Sequence, residues 1–342
     1  MASQPPPESV ILGQFSGLKN TVSRERLTGE ELERALNLDL DDTGQAHRRR
    51  GYTLKSAGSF HSLYRFAGRV YGVKNGALGI IRPDYSFLSL TTVSDARLSY
   101  TTVDDKLYFS SSTHAGAIVG ETLSTWGVVV EGTWVSPVLT PTETLGAIRG
   151  KLLGPPPHAT TIAAHSGRIY AADDKVLWAT ELFMYDYVDK TRNYLMFEDP
   201  ITELMAVNDG LYVGTSAALY FAQGVLGNMK LSLLVPSPVL PHSGVRVPAE
   251  KVHPQARSSP FPAGDAVVLM TQAGVCAGFD GGSCFNLTEK QFEFPKATSA
   301  AALFRQQDGA SFYVAVTDSG GTPVANARIG DYADATIVRL GG

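Results

Sequence analysis

The apolar and polar positions of this chain recur as a unit: a short apolar run, a turn element with Gly or Asp, a run in which Tyr alternates with small or polar residues, a second turn, and another apolar run. The instances are SLYRFAGRVYGVKNGALGIIRP from Ser62, LSYTTVDDKLYFSSSTHAGAIVG from Leu98, TIAAHSGRIYAADDKVLWATEL from Thr161, ELMAVNDGLYVGTSAALYFAQG from Glu203, DAVVLMTQAGVCAGFDGGSCFNL from Asp265 and AALFRQQDGASFYVAVTDSGG from Ala301. Period-two alternation broken by Gly, Asn and Asp pairs marks strands joined by tight turns, so each unit is read as a small antiparallel meander. Tyr71, Tyr108, Tyr170, Tyr212 and Tyr313 stand in corresponding places, shortly after Gly68-Arg69, Asp105-Lys106, Gly167-Arg168, Asp209-Gly210 and Asp308-Gly309.

A meander of three or four strands cannot bury both faces by itself, so units recurring about every 40 to 60 residues are expected to pack face to face as blades. The fold expected is all-β: a β-propeller-like ring of five or six antiparallel meander blades with an N-terminal arm and hairpin, the alternative being β-sandwich domains. Residues 1–58 form the arm, and 59–342 the propeller, with long Pro-rich insertions at 136–160 and 235–264. Within the arm, Thr28 and Glu31 have the spacing of a capping box with Leu32, Ala35 and Leu36 following on one face, which predicts a short helix. The alternating strand Ala335 to Leu340 is expected to complete the first blade and cover its edge.

Composition agrees with many short strands: Gly (34) and Pro (19) are plentiful in 342 residues, and charged residues are only 18%. The formal net charge of −4 lacks the basic excess of proteins that wrap nucleic acid. The start, MASQPPPES, reads as neither a secretory signal nor a membrane anchor. Cys276 and Cys284 flank one turn, either as free thiols in facing strands or as a disulfide across it.

Candidate chemistry concentrates in Asn37 to Tyr52, NLDLDDTGQAHRRRGY. Asp39, Asp41, Thr43 and Gly44 match the first half of a calcium loop, but the twelfth position, which should be a bidentate Glu, is Arg50. A hairpin fits better, with LNLDL leading in, DDTG turning and QAHRRRGY returning. Arg48 and Arg50 then share one face, and His47 and Arg49 the other. The candidate interface comprises Arg48, Arg49, Arg50, Asp39, Asp41, Asp42 and Gly44; its arginines pair across the hairpin, meet a neighbouring chain or touch DNA phosphate. No nucleophile elbow, H-E-x-x-H, P-loop or sialidase-type S-x-D-x-G-x-T-W box occurs, and His61, His114, His158, His165, His242 and His253 are scattered without ligand spacing. No catalytic residue, cofactor or metal is assigned.

Several stretches together resemble a known family. Gly17-Leu18-Lys19-Asn20, the Leu-x-Gly-Glu step from Leu27 to Glu30, Asn37 to Gly44, Arg48 to Tyr52 and Phe60-His61-Ser62-Leu63, with GRIYAADDKVLWATEL and DPITELMAVNDGLYVGTSAALYFAQG, are similar to the propeller-containing hub or nozzle proteins of short-tailed bacteriophages. The resemblance implies a non-enzymatic virion protein of the tail, assembled in the host cytoplasm. It also implies a homo-oligomeric, hexameric ring below portal and adaptor, through which DNA passes without specific binding, with no cofactor and no membrane insertion. A tail-fibre or receptor-binding propeller and a carbohydrate-active enzyme are the alternatives.

Overall fold

Turn chemistry decides the local structure. Asn75 and Gly76 both adopt the left-handed conformation (φ +50° and +77°) that a two-residue hairpin requires, and the strands on either side pair from Lys74 and Ala77 outward. The computed structural model describes residues 14–33, 38–40, 44–48, 53–127, 153–252, 264–289, 296–307, 310–318 and 335–341. Among them the helical segments are single 3-10 turns at Arg24–Arg26, Ala249–Lys251 and Asp280–Gly282. No helix among them is long and apolar enough to cross a membrane, which says nothing of spanning by strands.

The arm contains a parallel pair, β1 (Gly17–Leu18) with β2 (Glu31–Leu32), and a hairpin, β3 (Leu38–Leu40) with β4 (Ala46–Arg48). No helix directly follows Thr28 among the described residues, and Ala35 and Leu36 lie outside them. The helix signal is half met, since the Glu31 carboxylate accepts the Thr28 N–H (3.0 Å) as a capping box would. However, Glu31 and Leu32 pair with β1, and the Glu31 side chain also takes Lys19 at 2.5 Å, so strand pairing and an ion pair override a weak helix signal.

Six sheets follow. The first blade is β5 (Phe60–Phe66), β6 (Arg69–Lys74), β7 (Ala77–Ile81) and β8 (Phe87–Thr92); the second is β9 (Ser99–Val103), β10 (Lys106–Ser110), β11 (Ala115–Val119) and β12 (Thr122–Ser124). After β13 (Leu153–Gly154) the third contains β14 (Thr161–His165), β15 (Arg168–Asp173), β16 (Val176–Ala179) and, beyond β17 (Val188–Asp189), β18 (Tyr194–Met196). The fourth is β19 (Ile201–Ala206), β20 (Gly210–Thr215), β21 (Leu219–Gln223) and β22 (Lys230–Val235). The fifth is β23 (Val245–Pro248), β24 (Asp265–Thr271), β25 (Gly274–Gly278) and β26 (Cys284–Asn286), and the sixth β27 (Ala300–Gln307), β28 (Ala310–Thr317) and β29 (Ala335–Gly341). All pair antiparallel in sequence order, so the architecture is an all-β, propeller-like succession of meander blades.

Apolar packing runs between blades rather than within them. Five clusters of buried residues join successive pairs: Val73 and Leu107 between the first and second, Ile162 and Trp126 between the second and third, Leu177 and Leu211 between the third and fourth, Leu219 and Val267 between the fourth and fifth, and Val268 and Ala315 between the fifth and sixth. The repeated tyrosines are at most 2% exposed and anchor these interfaces. In four cases the tyrosine of one blade meets the connection between the third and fourth strands of the next. Tyr71 donates to Gly120 O (2.9 Å), Tyr212 to Phe279 O (2.6 Å) and Ser283 O (2.9 Å), Tyr108 packs on Tyr185, and Tyr170 shares a cluster with Leu226.

Three expectations are corrected. Tyr313 is not equivalent to the others: it lies in the cluster facing the preceding blade and donates to Ser243 O (2.8 Å). It stands fourth in its strand where the others stand third, and one residue of shift turns a strand side chain to the opposite face. The C-terminal strand β29 pairs with β28 and completes the sixth blade, not the first, because the first already holds four strands of its own. The insertion at 235–264 is not all loop: Val247 is buried in β23, the first strand of the fifth blade, and Pro248 ends that strand, where a missing N–H is tolerated. Of the insertion at 136–160, residues 136–152 lie outside the described residues, while Leu153 and Gly154 pair with β17.

Tyr212→Phe, which removes the hydroxyl bonds to the Phe279 and Ser283 carbonyls while each keeps a backbone N–H donor, is expected to lower stability by about 1 kcal/mol. Tyr212→Ala should cost about 3–5 kcal/mol by opening a cavity between the fourth and fifth blades. Denaturant unfolding of the two variants measures both.

Candidate functional site

The predicted interface residues sit in the arm. The hairpin is present, with Asp39 opposite His47, Leu38 opposite Arg48 and Leu40 opposite Ala46. Arg48 is exposed and faces a leucine position rather than a carboxylate. Asp41, Asp42, Arg49 and Arg50 lie outside the described residues, as does the Asp39 side chain. Gly44 has φ +77°, and its carbonyl accepts the Phe15 N–H (2.8 Å). A Cβ there would stand 2.9 Å from the Phe15 carbonyl oxygen, so this turn requires glycine both for its conformation and for the close approach of Phe15. Among the described residues no group of three or more His, Cys, Asp or Glu could hold a metal ion. Cys276 and Cys284 are free thiols on paired strands, offset so that Cys276 stands opposite Asn286 and Cys284 opposite Gly278.

A second constellation forms where the chain enters the first strands of four of the six blades. His61 is the second residue of β5, Arg97 stands two residues before β9, His242 three before β23, and Ala300 opens β27. Hydrogen bonds stitch them together. His61 Nδ1 lies 2.9 Å from Ser62 Oγ, which accepts the Leu98 N–H (2.8 Å); Arg97 donates to the Ala300 carbonyl; and the Ala300 N–H donates to Pro241 O (3.1 Å). His61 Nε2 is buried and has no hydrogen-bond partner.

The electrostatics follow from burial among like charges. Burial and then the Arg97 guanidinium hold His61 below the usual imidazole range, with Asp95 opposing. Burial, Arg97 and His61 together push His242 down to about 4. Arg97 is itself lowered by burial, and Asp318 works against this. The Asp318 carboxylate is occupied by the amides and hydroxyls of Thr298 and Ser299.

Glu203 of β19 holds the His242 loop from behind. It is 7% exposed and accepts the Gly244 N–H (3.3 Å), while the Ser243 carbonyl receives the Tyr313 hydroxyl. Burial pushes its carboxyl up to about 7, against the amides of Gly244, Leu204, His242 and Ser243. A Cβ at Gly244 would stand 2.7 Å from Met205 Sδ and 3.1 Å from Glu203 Cδ, so a larger residue would have to push those side chains aside.

The outer strands of the third and fourth blades present a different surface. Met196 (64% exposed) and Leu233 (57%) face solvent there with Tyr194 and Leu231, while Phe183 (71%), Leu182 and Val225 are exposed in the loops that precede those strands. Sequence reasoning found neither this surface nor the His61, Arg97 and His242 constellation. The histidines lack any regular spacing, and SDAR and PHSG look like ordinary linkers.

Neither a protein-family model nor a curated protein sequence matches the chain. Among solved structures it is similar to BBS1N in complex with ARL6DN (13% identity, 80% of this chain and 75% of that chain, TM-score 0.45). It is also similar to the extracellular domain of the putative hybrid two component system BT4673 from B. thetaiotaomicron (10% identity, 88% of this chain and 38% of that chain, TM-score 0.46) and to Saccharomyces cerevisiae Sqt1 (13% identity, 68% and 63%, TM-score 0.37). The chain thus spans well under half of the BT4673 domain. These are general likenesses and assign no activity or partner.

Two outcomes are expected. Gly44→Ala should release the hairpin from Phe15 and increase amide exchange in the arm, while the blades unfold as in the wild type. A buried carboxyl with a raised native value stabilises the fold fully below its ordinary 4.5, and that contribution is lost as pH rises through about 7. His242 acts in the opposite sense, losing its contribution as pH falls from 6.5 toward about 4. Relative to Glu203→Gln, wild-type stability should therefore fall between pH 4.5 and about 7, by at most roughly 3 kcal/mol. Parallel pH profiles in denaturant would contradict this assignment.

Proposed function

We propose that this chain is a non-enzymatic structural subunit of a tailed-phage virion, a hub or nozzle that assembles as a ring in the tail beneath portal and adaptor and lets DNA pass. The observation that carries the reading is the exposure of large apolar side chains on the outer strands of two successive blades, Met196 on β18 and Leu233 on β22. A subunit that covers exposed apolar side chains on assembly has reason to keep them on its outer strands. The resemblance of the arm and of two blades to hub and nozzle proteins supplies the kind of assembly. In this reading the arm, with its Gly44 turn and exposed Arg48, reaches a neighbouring chain, and Arg48 together with Arg49 and Arg50 meets carboxylates there.

The net charge of −4 suits a conduit that does not grip its cargo. A tail-fibre or receptor-binding role differs in where the protein sits in the particle. Imaging of purified particles that carry a tag on this chain separates the two, and a tag at the fibre tips would overturn the hub reading.

Met196→Glu combined with Leu233→Glu should leave the isolated chain within about 1 kcal/mol of wild-type stability, since both side chains are already in water. The same double variant should fail to enter particles. Normal incorporation and infectivity would remove the observation on which the assembly reading rests. Purified protein should bind duplex DNA weakly and lose that binding steeply as salt is added, as measured by fluorescence anisotropy. Tight binding that persists at physiological salt would be the wrong behaviour for a passive channel.

A further inference from the structure

The His61, Arg97 and His242 constellation is not needed for a meander to pack. Three basic groups, brought from the first blade, the link between the first and second blades, and the link between the fourth and fifth, are held beside one another by the bonds through Ser62, Ala300 and Pro241. Burial beside Arg97 lowers both imidazoles and leaves the guanidinium as the charge withdrawn from water, a placement that a negative partner would relieve. The acidic groups nearby do not fill that role. Asp318 is held by Thr298 and Ser299, Glu203 lies behind the 242–244 loop and is engaged by its amides, and Asp95 affects only His61. A ring nitrogen is left over, His61 Nε2, buried and without a partner; it carries the N–H when Nδ1 accepts from the Ser62 hydroxyl, whose oxygen is already taken by the Leu98 N–H.

We propose that His61, Arg97 and His242 form a binding site for one oxyanion group, a phosphate or a carboxylate, which accepts from His61 Nε2 and from the guanidinium of Arg97. Planar or tetrahedral oxyanions suit this donor set, since a guanidinium offers two parallel N–H groups and each imidazole one. The chemistry is shared by a free phosphate, a nucleic-acid phosphate and a protein carboxylate. Arg97 keeps one N–H on the Ala300 carbonyl, which fixes its fork while leaving its other donors for the ligand. His242 sits at φ +60°, and its loop is fixed from behind through Gly244 and Glu203, so its ring approaches the site on a rigid backbone.

Occupation of the site has a definite pH sense. Burial and Arg97 lower both imidazoles, and an anion among them favours their protonated forms. Affinity therefore rises as pH falls toward the imidazole range.

The test is a titration of the full chain with inorganic phosphate, with acetate, and with sodium chloride at matched ionic strength, followed by the imidazole resonances of His61 and His242. The expected result is a saturable shift of both histidines with phosphate, acetate or both, and none with chloride. The tighter of the two anions identifies a tetrahedral or a planar ligand. Acetate keeps its charge across the range, so it carries the pH comparison, and it should bind more tightly near about pH 6 than near about pH 8. His61→Gln and His242→Asn should each weaken binding by about tenfold; Asn tolerates the left-handed backbone at 242. The absence of a saturable shift in the wild-type protein, an equal response to chloride, or unchanged binding in both folded variants would overturn the proposal.

Discussion

The structure depends on one constraint: a four-stranded meander has two faces and no means of covering either. Each blade here hides its apolar side chains only by pressing them against the next, so the cores are the five spaces between blades rather than the interiors of sheets. The buried tyrosines reinforce this at the same point in four successive interfaces. Where the hydroxyl is satisfied it is by a backbone carbonyl of the following blade, as with Tyr71 and Gly120 or Tyr212 and Phe279. A tyrosine suits this place because its ring fills the space between sheets while its hydroxyl reaches the turn beyond.

The same constraint collects chemistry at the strand starts. When successive blades pack face to face, their first strands come side by side, as β9 with β14, β14 with β19 and β23 with β27. The linkers feeding those strands then converge whatever their separation in sequence. Arg97 and Ala300 are 203 residues apart and share a hydrogen bond for this reason. Convergence also explains the glycine at 244, since the loop carrying His242 must pass directly over Glu203 and Met205.

The sixth blade marks where repetition ends. Tyr313 faces backward, and the blade consists of three strands among the described residues, whereas the preceding five have four. Its inward face still packs through Ala300, Ala315 and Tyr313, but on its other face Leu303 is 53% exposed. The arm differs from the blades in kind: it is held by short ladders, by Lys19 with Glu31 and by Arg24 with Glu33, all near solvent, where ion pairs contribute little.

What the sequence determined by itself was local and periodic. Alternation, paired turn residues and a recurring tyrosine were enough for the meanders, the blade-like stacking and the Gly44 hairpin, because each arises from neighbours within a few residues. The β23 strand was hidden because its apolar residues lie in a Pro-rich segment whose composition reads as loop. The facing of Tyr313 was hidden because a single residue of register inverts a strand, and spacing from a turn does not fix register. The helix after Thr28 gives way at Glu31 and Leu32 because a capping signal is weaker than a strand partner waiting at Gly17. Only the tertiary structure decided the site at His61, Arg97 and His242, since nothing in SDAR or PHSG distinguishes them from other linkers. Their chemistry exists through contacts between distant blades, and a linear pattern records the spacing of neighbours along the chain, not which ends of it the packing of sheets will bring together.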